Sequence, residues 1–161
     1  MNNKKVFVLQ GIGNIGKTTT IVKIIELFLN ECEECSIIDR DFNNKRHNGE
    51  PVDRWIALNF KGKKIGITTF GDTKGLIKKH LDAIDRVAGE CDIYVCAARS
   101  SGETCDYICG ERFKGSEIIC HQRWTVRIEN EELFSFEELC NETQRMQAEY
   151  IKLQIEKACE H

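Results

Sequence analysis

The residues Gly11-Ile12-Gly13-Asn14-Ile15-Gly16-Lys17-Thr18 constrain the fold of this chain more than any other stretch. They fit the pattern G-x-x-x-x-G-K-S/T at every fixed position. Lys4–Gln10 ahead of them reads as a buried strand, and Thr18–Asn30 behind them reads as a helix. Gly11, Gly13 and Gly16 keep side chains out of the turn, so successive backbone N–H groups can line an anion nest, and the start of the helix adds the positive end of its dipole. Strand, bare turn and helix in that order commit the chain to α/β packing, with its ligand edge beyond the carboxyl ends of the strands.

The remaining elements extend that plan. Ile21, Ile24, Ile25 and Phe28 share one face of the first helix. Ser36-Ile37-Ile38-Asp39 reads as a second strand, followed by the acidic loop from Asp39 to Asn44, and Asn43–Pro51 as a polar loop. Ile56, Leu58 and Phe60 alternate with Trp55, Ala57 and Asn59. With Lys61-Gly62-Lys63 and the run Lys64–Phe70 they predict a β-hairpin. Ile77, Leu81, Ile84 and Ala88 recur at helical spacing, and Cys91–Ala98 is continuous enough for a central strand covered on both faces. Arg99–Ser116 reads as a long polar loop, Glu117–His121 as the last parallel strand, and Gln122–Ile128 as a loop or an extra edge strand. Ser135 and Glu138 form a capping box for a helix over about 136–159. That helix carries two stripes, Leu139-Met146-Leu153 and Ala148-Ile151-Ile155-Ala158, one to dock on the domain and the other to meet a partner or widen the packed face. The predicted fold is an α/β three-layer sandwich with a mostly parallel sheet and one hairpin, in a single domain over 1–161.

Composition narrows the partners. With 161 residues, 41% hydrophobic and 30% charged, one domain with a real core is expected. A net charge of −3 gives no electrostatic footprint for nucleic acid, and no apolar run reaches membrane-spanning length. A cytoplasmic setting is expected. Nine cysteines, an odd number, argue against a disulfide framework there. Cys32 and Cys35 stand as C-x-x-C. Cys105, Cys109, Cys120 and His121 could clip a lid with zinc, or the thiols could simply be reduced and half-buried.

Several polar groups are expected at the carboxyl edge beside the loop: Asp39 and Asp41 after the second strand, Asp72 after the hairpin, Arg99 after the central strand and His121 after the last. A phosphate cradle, acids for metal or water, and a cation for developing charge make up the inventory of a magnesium-nucleotide site. Asp72 could hold magnesium or cap the following helix through Thr73. Asp39 or Asp41 could orient a water, deprotonate an acceptor hydroxyl, or belong to a solvated loop. Arg99 could contact a transferring phosphoryl group, or pair with Asp92, Glu103 or Asp106. His121 and Trp124 could flank a base, or pack.

The loop resembles that of the P-loop NTPase superfamily. The resemblance implies that Gly11, Gly13, Asn14, Ile15, Gly16, Lys17, Thr18 and Thr19 bind a nucleoside triphosphate, that Lys17 reaches its β- and γ-phosphates, and that Thr18 with Asp72 holds Mg2+. Within the superfamily, Gly11-x-x-Asn14-Ile15-Gly16-Lys17-Thr18, the hairpin and Asp72-x-x-Gly75 look like the GTPase branch. Ala97-Ala98-Arg99-Ser100 stands where N-K-x-D would be, so ATP is expected over GTP. Gly16-Lys17-Thr18-Thr19-Thr20 with Asp39-Arg40-Asp41 looks like the partition and cell-division ATPases, with Ile12 in place of their signature lysine. Gly71-Asp72, Cys91-Asp92-Ile93 and Arg99-x-x-Gly102-x-Thr104 are similar to small bacterial P-loop proteins without an assigned function. The expected activity is Mg-dependent ATP hydrolysis coupled to a protein partner, with Lys17, Asp39, Asp41 and Arg99 as catalytic candidates. The alternatives are a small nucleotide or metabolite kinase with a small-molecule acceptor, closing the Arg99–Ser116 loop as a lid, and a nucleotide sensor without turnover.

Overall fold

Strict alternation along the first strand, β1 (Lys5–Gln10), divides the molecule into layers. The structure is a computed structural model and describes residues 4–11, 16–31, 33–42, 53–125 and 135–161. In chain order β1 is followed by α1 (Lys17–Glu31), β2 (Cys35–Asp41), β3 (Trp55–Phe60), β4 (Lys63–Thr68), α2 (Lys74–Ala88), β5 (Ile93–Ala98), α3 (Glu103–Asp106) with a π-helical turn (Tyr107–Arg112), β6 (Glu117–Gln122) and α4 (Phe136–Cys159). Phe7 and Leu9 of β1 pack with Ile56, Leu58 and Phe60 of β3, Ile65 and Ile67 of β4, and the apolar faces of α1 and α4. Val6 and Val8 point the other way, to Ala57, Cys96, Ile77, Leu81 and Ile84, and to Ile108 of the π-helical turn. The layers are therefore α1 and α4, the sheet, and α2 with the π-helical turn. Among the described residues no helix is long and apolar enough to cross a membrane.

The six strands run in the order β2-β3-β4-β5-β1-β6. β5 and β6 are both parallel to β1, β4 is parallel to β5, and β3 is antiparallel to both its neighbours. Lys61 and Gly62, with φ of 50° and 76°, form the two-residue turn between β3 and β4, as the hairpin pattern predicts. β2 is an edge strand, exposed over Ser36–Arg40 and bulged between Ile37 and Asp39. Its apolar pair Ile37 and Ile38 does not reach the core.

One element differs from expectation, and α4 follows it. The stretch 99–116, predicted as a polar loop, is largely helical. Thr104, Tyr107, Ile108 and Phe113 are buried on the α2 side, and Arg112 bonds Asp82 and Asp85 of α2, each at 2.6 Å. Asp85 also accepts the hydroxyl of Tyr94 at 2.5 Å. This segment is clamped onto α2, which disfavours a swinging lid. In α4, Ser135 Oγ accepts from Glu138 N at 3.1 Å, as the capping box requires, and Ala148, Ile151 and Ile155 are buried. Met146 and Leu153, of the other stripe, stay exposed. Pro51 and its polar loop, Cys32, and the segment 126–134 lie outside the described residues.

Two histidines, His80 buried and His121 half-buried, give the fold a pH dependence. His80, bonded through Nδ1 to Thr68 Oγ1 at 2.9 Å, and His121, stacked on Phe7, are both held below the usual 6.5, chiefly by burial. For His80, Asp41 pulls the other way and Lys79 adds to the lowering; for His121, Gln154 opposes it. As pH falls below 6.5 the unfolded chain takes up protons that the native histidines still refuse, so stability is lost across that window and is intact above it. Each histidine contributes a slope of at most about 1.4 kcal/mol per pH unit. Urea midpoints measured between about pH 7 and pH 5.5 should fall, and His80→Gln should flatten the fall.

Candidate functional site

The parallel register brings the loop and two arginines to one level. Gln10, the last residue of β1, pairs with Ala98 of β5 on one side and Gln122 of β6 on the other. One step further Gly11 N donates to Ala98 O at 3.3 Å, and Arg123 N donates to Gln10 O at 2.8 Å. Gly11 therefore stands between Arg99 and Arg123. Ile12, Gly13, Asn14 and Ile15 lie outside the described residues, and the loop resumes at Gly16, whose φ of 84° suits only glycine.

Lys17 opens α1 and is only 6% exposed. Its ammonium donates to Gly11 O at 2.9 Å, tying the two described ends of the loop together. Burial pulls its pKa below the usual 10.5, Asp72 partly restores it, and Arg99 lowers it further. Lys17, Asp72 and Arg99 thus share one electrostatic field. Asp72 is exposed and reaches that field because Gly71 lies flat against Ala97, carrying the chain from the end of β4 over β5. Thr18 is half-buried and Thr19 exposed in the first turn of α1. Arg99 is exposed, with its N–H on Thr104 Oγ1 at 3.2 Å. Among the described residues it pairs with none of Asp92, Glu103 or Asp106.

Asp39 and Asp41 are on the same edge but not in the same place. β3, β4 and β5 separate β2 from β1. Four steps of about 4.8 Å put β2 on the order of 19 Å from β1 along the sheet. Asp39 accepts from the N–H of Arg40 at 2.8 Å, and Asp41 acts on His80 of α2. The structure groups Lys17, Asp72 and Arg99 and leaves these two acids elsewhere. The reason is the hairpin, which inserts itself between the second strand and the rest of the sheet.

Arg123 is the residue that the sequence reading did not single out. It is 8% exposed, and its Nη1 donates to Trp124 O and, at 3.3 Å, to Gln147 Oε1 of α4. A Cβ placed on Gly16 would meet Gln144 Nε2 at 2.5 Å and Arg123 Nη2 at 3.5 Å. Gln144 of α4 therefore fills the space a side chain on Gly16 would need, and the guanidinium lines its border. The available signal was its position, the first residue past the last parallel strand, which is the level of Arg99 past β5.

His121 packs inside the fold, whereas Trp124 stays exposed beside Tyr150. His121 lies under α4 between Phe7 and Tyr150, and Trp124 lies 5.8 Å from the Tyr150 ring. Because successive residues of β6 face opposite ways, His121 cannot join Cys120 in a zinc clip. Cys105, Cys109 and Cys120 do converge on the other face. Burial and the two neighbouring thiols push Cys109 up to about 12, so it stays protonated. Among the described residues no group of three or more His, Cys, Asp or Glu is placed to hold a metal ion. A cavity of about 390 Å³ lined by Lys4, Lys5, Asp92 and Glu117 lies at the opposite edge of the sheet and takes no part in this site.

A scan against models of known protein families finds no match to this chain, and searches of curated proteins and of solved structures find none either.

Proposed function

We propose that the chain binds a magnesium nucleoside triphosphate, ATP in preference to GTP, on the loop Gly11–Thr18 as a member of the P-loop class, and that it hydrolyses the nucleotide slowly under the control of a protein partner. The observation that carries this reading is the buried ammonium of Lys17, folded back on Gly11 O at 2.9 Å. A buried cation whose charge is opposed by desolvation gains most from an anion, and a polyphosphate tail is the anion that a glycine turn at a helix start accommodates. Thr18 and Asp72 offer hard oxygen donors to Mg2+, an ion that needs only one or two from the protein when phosphates supply the rest. Magnesium would neutralise phosphate charge, and Arg99 would stabilise charge that develops on the transferring group.

The distance of Asp39 and Asp41 from Lys17 favours partner-controlled hydrolysis over a kinase. Neither acid is beside the loop to deprotonate an acceptor, and the 99–116 segment is tied to α2. Slow turnover that a partner accelerates fits a site with a cation and a metal ligand but no adjacent base among the described residues. Calorimetry with ATP, GTP and ADP, with and without Mg2+, tests the reading together with a phosphate-release assay. The expected result is saturable heat with MgATP, weaker binding of GTP, and low phosphate release that no metabolite stimulates. The absence of heat with every nucleoside triphosphate would overturn it. Phosphate appearing on a small acceptor would establish the kinase instead.

A further inference from the structure

We infer that Arg123 is an anion-contacting residue of the loop site, directed at the phosphate tail, and that Gln144 of α4 stands beside it where a carboxylate would otherwise be. The inference rests on the reading of the loop as a triphosphate site and adds to it a second cation and the element that carries it.

A guanidinium keeps its charge at any ordinary pH, so a buried one needs compensation. Arg123 is more than nine-tenths buried, yet among the described residues no carboxylate pairs with it. Desolvation lowers its pKa, and among the described residues the thiol of Cys140 acts against that. Its Nη1 is used by Trp124 O and Gln147 Oε1, but its Nε is buried without an acceptor. Gln144, whose Nε2 comes to Gly16 as Arg123 Nη2 does, has its Oε1 buried without a donor. A brace between β6 and α4 would account for Nη1 alone. It would leave the charge, the Nε donor and the approach of Nη2 to Gly16 without a use. A phosphate oxygen over the loop would take up all three. The two arginines then divide the work by exposure. Arg99, exposed on the β5 side, is free to move with a reacting group, whereas Arg123, buried on the β6 side, is held in place by α4. Because Gln144 and Gln147 both belong to α4, loading of the loop is felt by that helix directly.

The test uses the full chain with MgATP and magnesium tripolyphosphate in calorimetry, and thermal unfolding without ligand. Arg123→Gln should weaken both ligands at least tenfold, and Arg123→Lys less. Gln144→Glu is the decisive variant. Its carboxylate should pair the guanidinium, raising the melting temperature of the empty chain, and should repel phosphate, weakening MgATP by a similar factor. If Gln144→Glu stabilises the chain while MgATP binds as before, Arg123 is only a brace and the inference falls. The same holds if folded Arg123→Gln binds with wild-type affinity while Lys17→Met does not, an outcome that spares the triphosphate reading. Loss of MgATP with tripolyphosphate unaffected would move Arg123 to the nucleoside and overturn the assignment to phosphate. A wild-type chain that takes up neither ligand overturns both readings together.

Discussion

Lys17→Met is expected to abolish triphosphate uptake while leaving the empty chain as stable as before. The methionine keeps most of the apolar stem of the side chain and removes the ammonium that donates to Gly11 O. Truncating one partner of a buried, hydrogen-bonded charge pair costs about 2–5 kcal/mol, which is roughly 30-fold to several thousand-fold in affinity. In the empty chain two terms oppose each other. Removing a cation that burial disfavours is a gain, and burial is the leading cause of the lowered Lys17 pKa. Leaving the Gly11 carbonyl without that donor is a loss of about 1–3 kcal/mol. The net change in unliganded stability is therefore expected to stay within about 1 kcal/mol. Thermal unfolding reads both at once. With ligand at about one hundred times its Kd the wild type should gain about 2.7 kcal/mol and the variant almost nothing. A variant that binds MgATP like the wild type would remove the ground for the proposed function. A variant that loses much of its unliganded stability would make Lys17 a structural tie across the turn.

The faces of the sheet were legible in the sequence because period-two alternation reports burial directly. Ile56, Leu58 and Phe60 sort onto one face and Trp55 and Ala57 onto the other, as their spacing implies. The Ser135 cap and the loop-to-α1 junction were legible for a similar reason, since each depends on a few residues adjacent in sequence. Lateral order was not legible. The same alternation fits a strand next to β1 or four places away, and only the hairpin's pairing puts β2 at the far edge with Asp39 and Asp41. The helical segment after β5 was hidden by its brevity. Thr104, Tyr107 and Ile108 are buried at helical spacing, but they make up a single turn among polar residues, and Phe113 lies beyond the helix, so no sustained repeat marks the stretch. Arg123 was missed because its meaning comes from register. Extending β6 by one residue beyond His121 to Gln122 places the next side chain beside Gly11, and no local pattern marks that step.

Gly71→Ala should be among the most damaging single substitutions in the chain, and Gly75→Ala, four residues later, should be harmless or better. A Cβ on Gly71 would lie 2.5 Å from the carbonyl carbon of Ala97 and 2.7 Å from its Cβ, and would also strike its carbonyl oxygen. These are backbone and short side-chain atoms of the central strand β5, so no flexible group can yield. Either the segment after β4 lifts off β5 or β5 shifts against β1. Overpacking of this kind costs about 1–3 kcal/mol and more where backbone must move, so about 3 kcal/mol is expected, or a melting temperature lower by roughly 10 °C. Under the proposed function the damage should extend to binding, because the flat approach of Gly71 to Ala97 brings Asp72 into the electrostatic field of Lys17. Restoring stability by cooling should therefore leave MgATP binding weakened. Gly75 sits in the first turn of α2 with open space where its Cβ would be. Alanine there restricts the unfolded chain and favours the helix, a gain of about 0.5–1 kcal/mol. Urea unfolding of both variants with calorimetry on the folded protein separates the causes. If Gly75→Ala weakens nucleotide binding while Gly71→Ala does not, the glycine that matters belongs to the Asp72-x-x-Gly75 resemblance, and the path of Asp72 toward Lys17 over β5 is not what the site depends on.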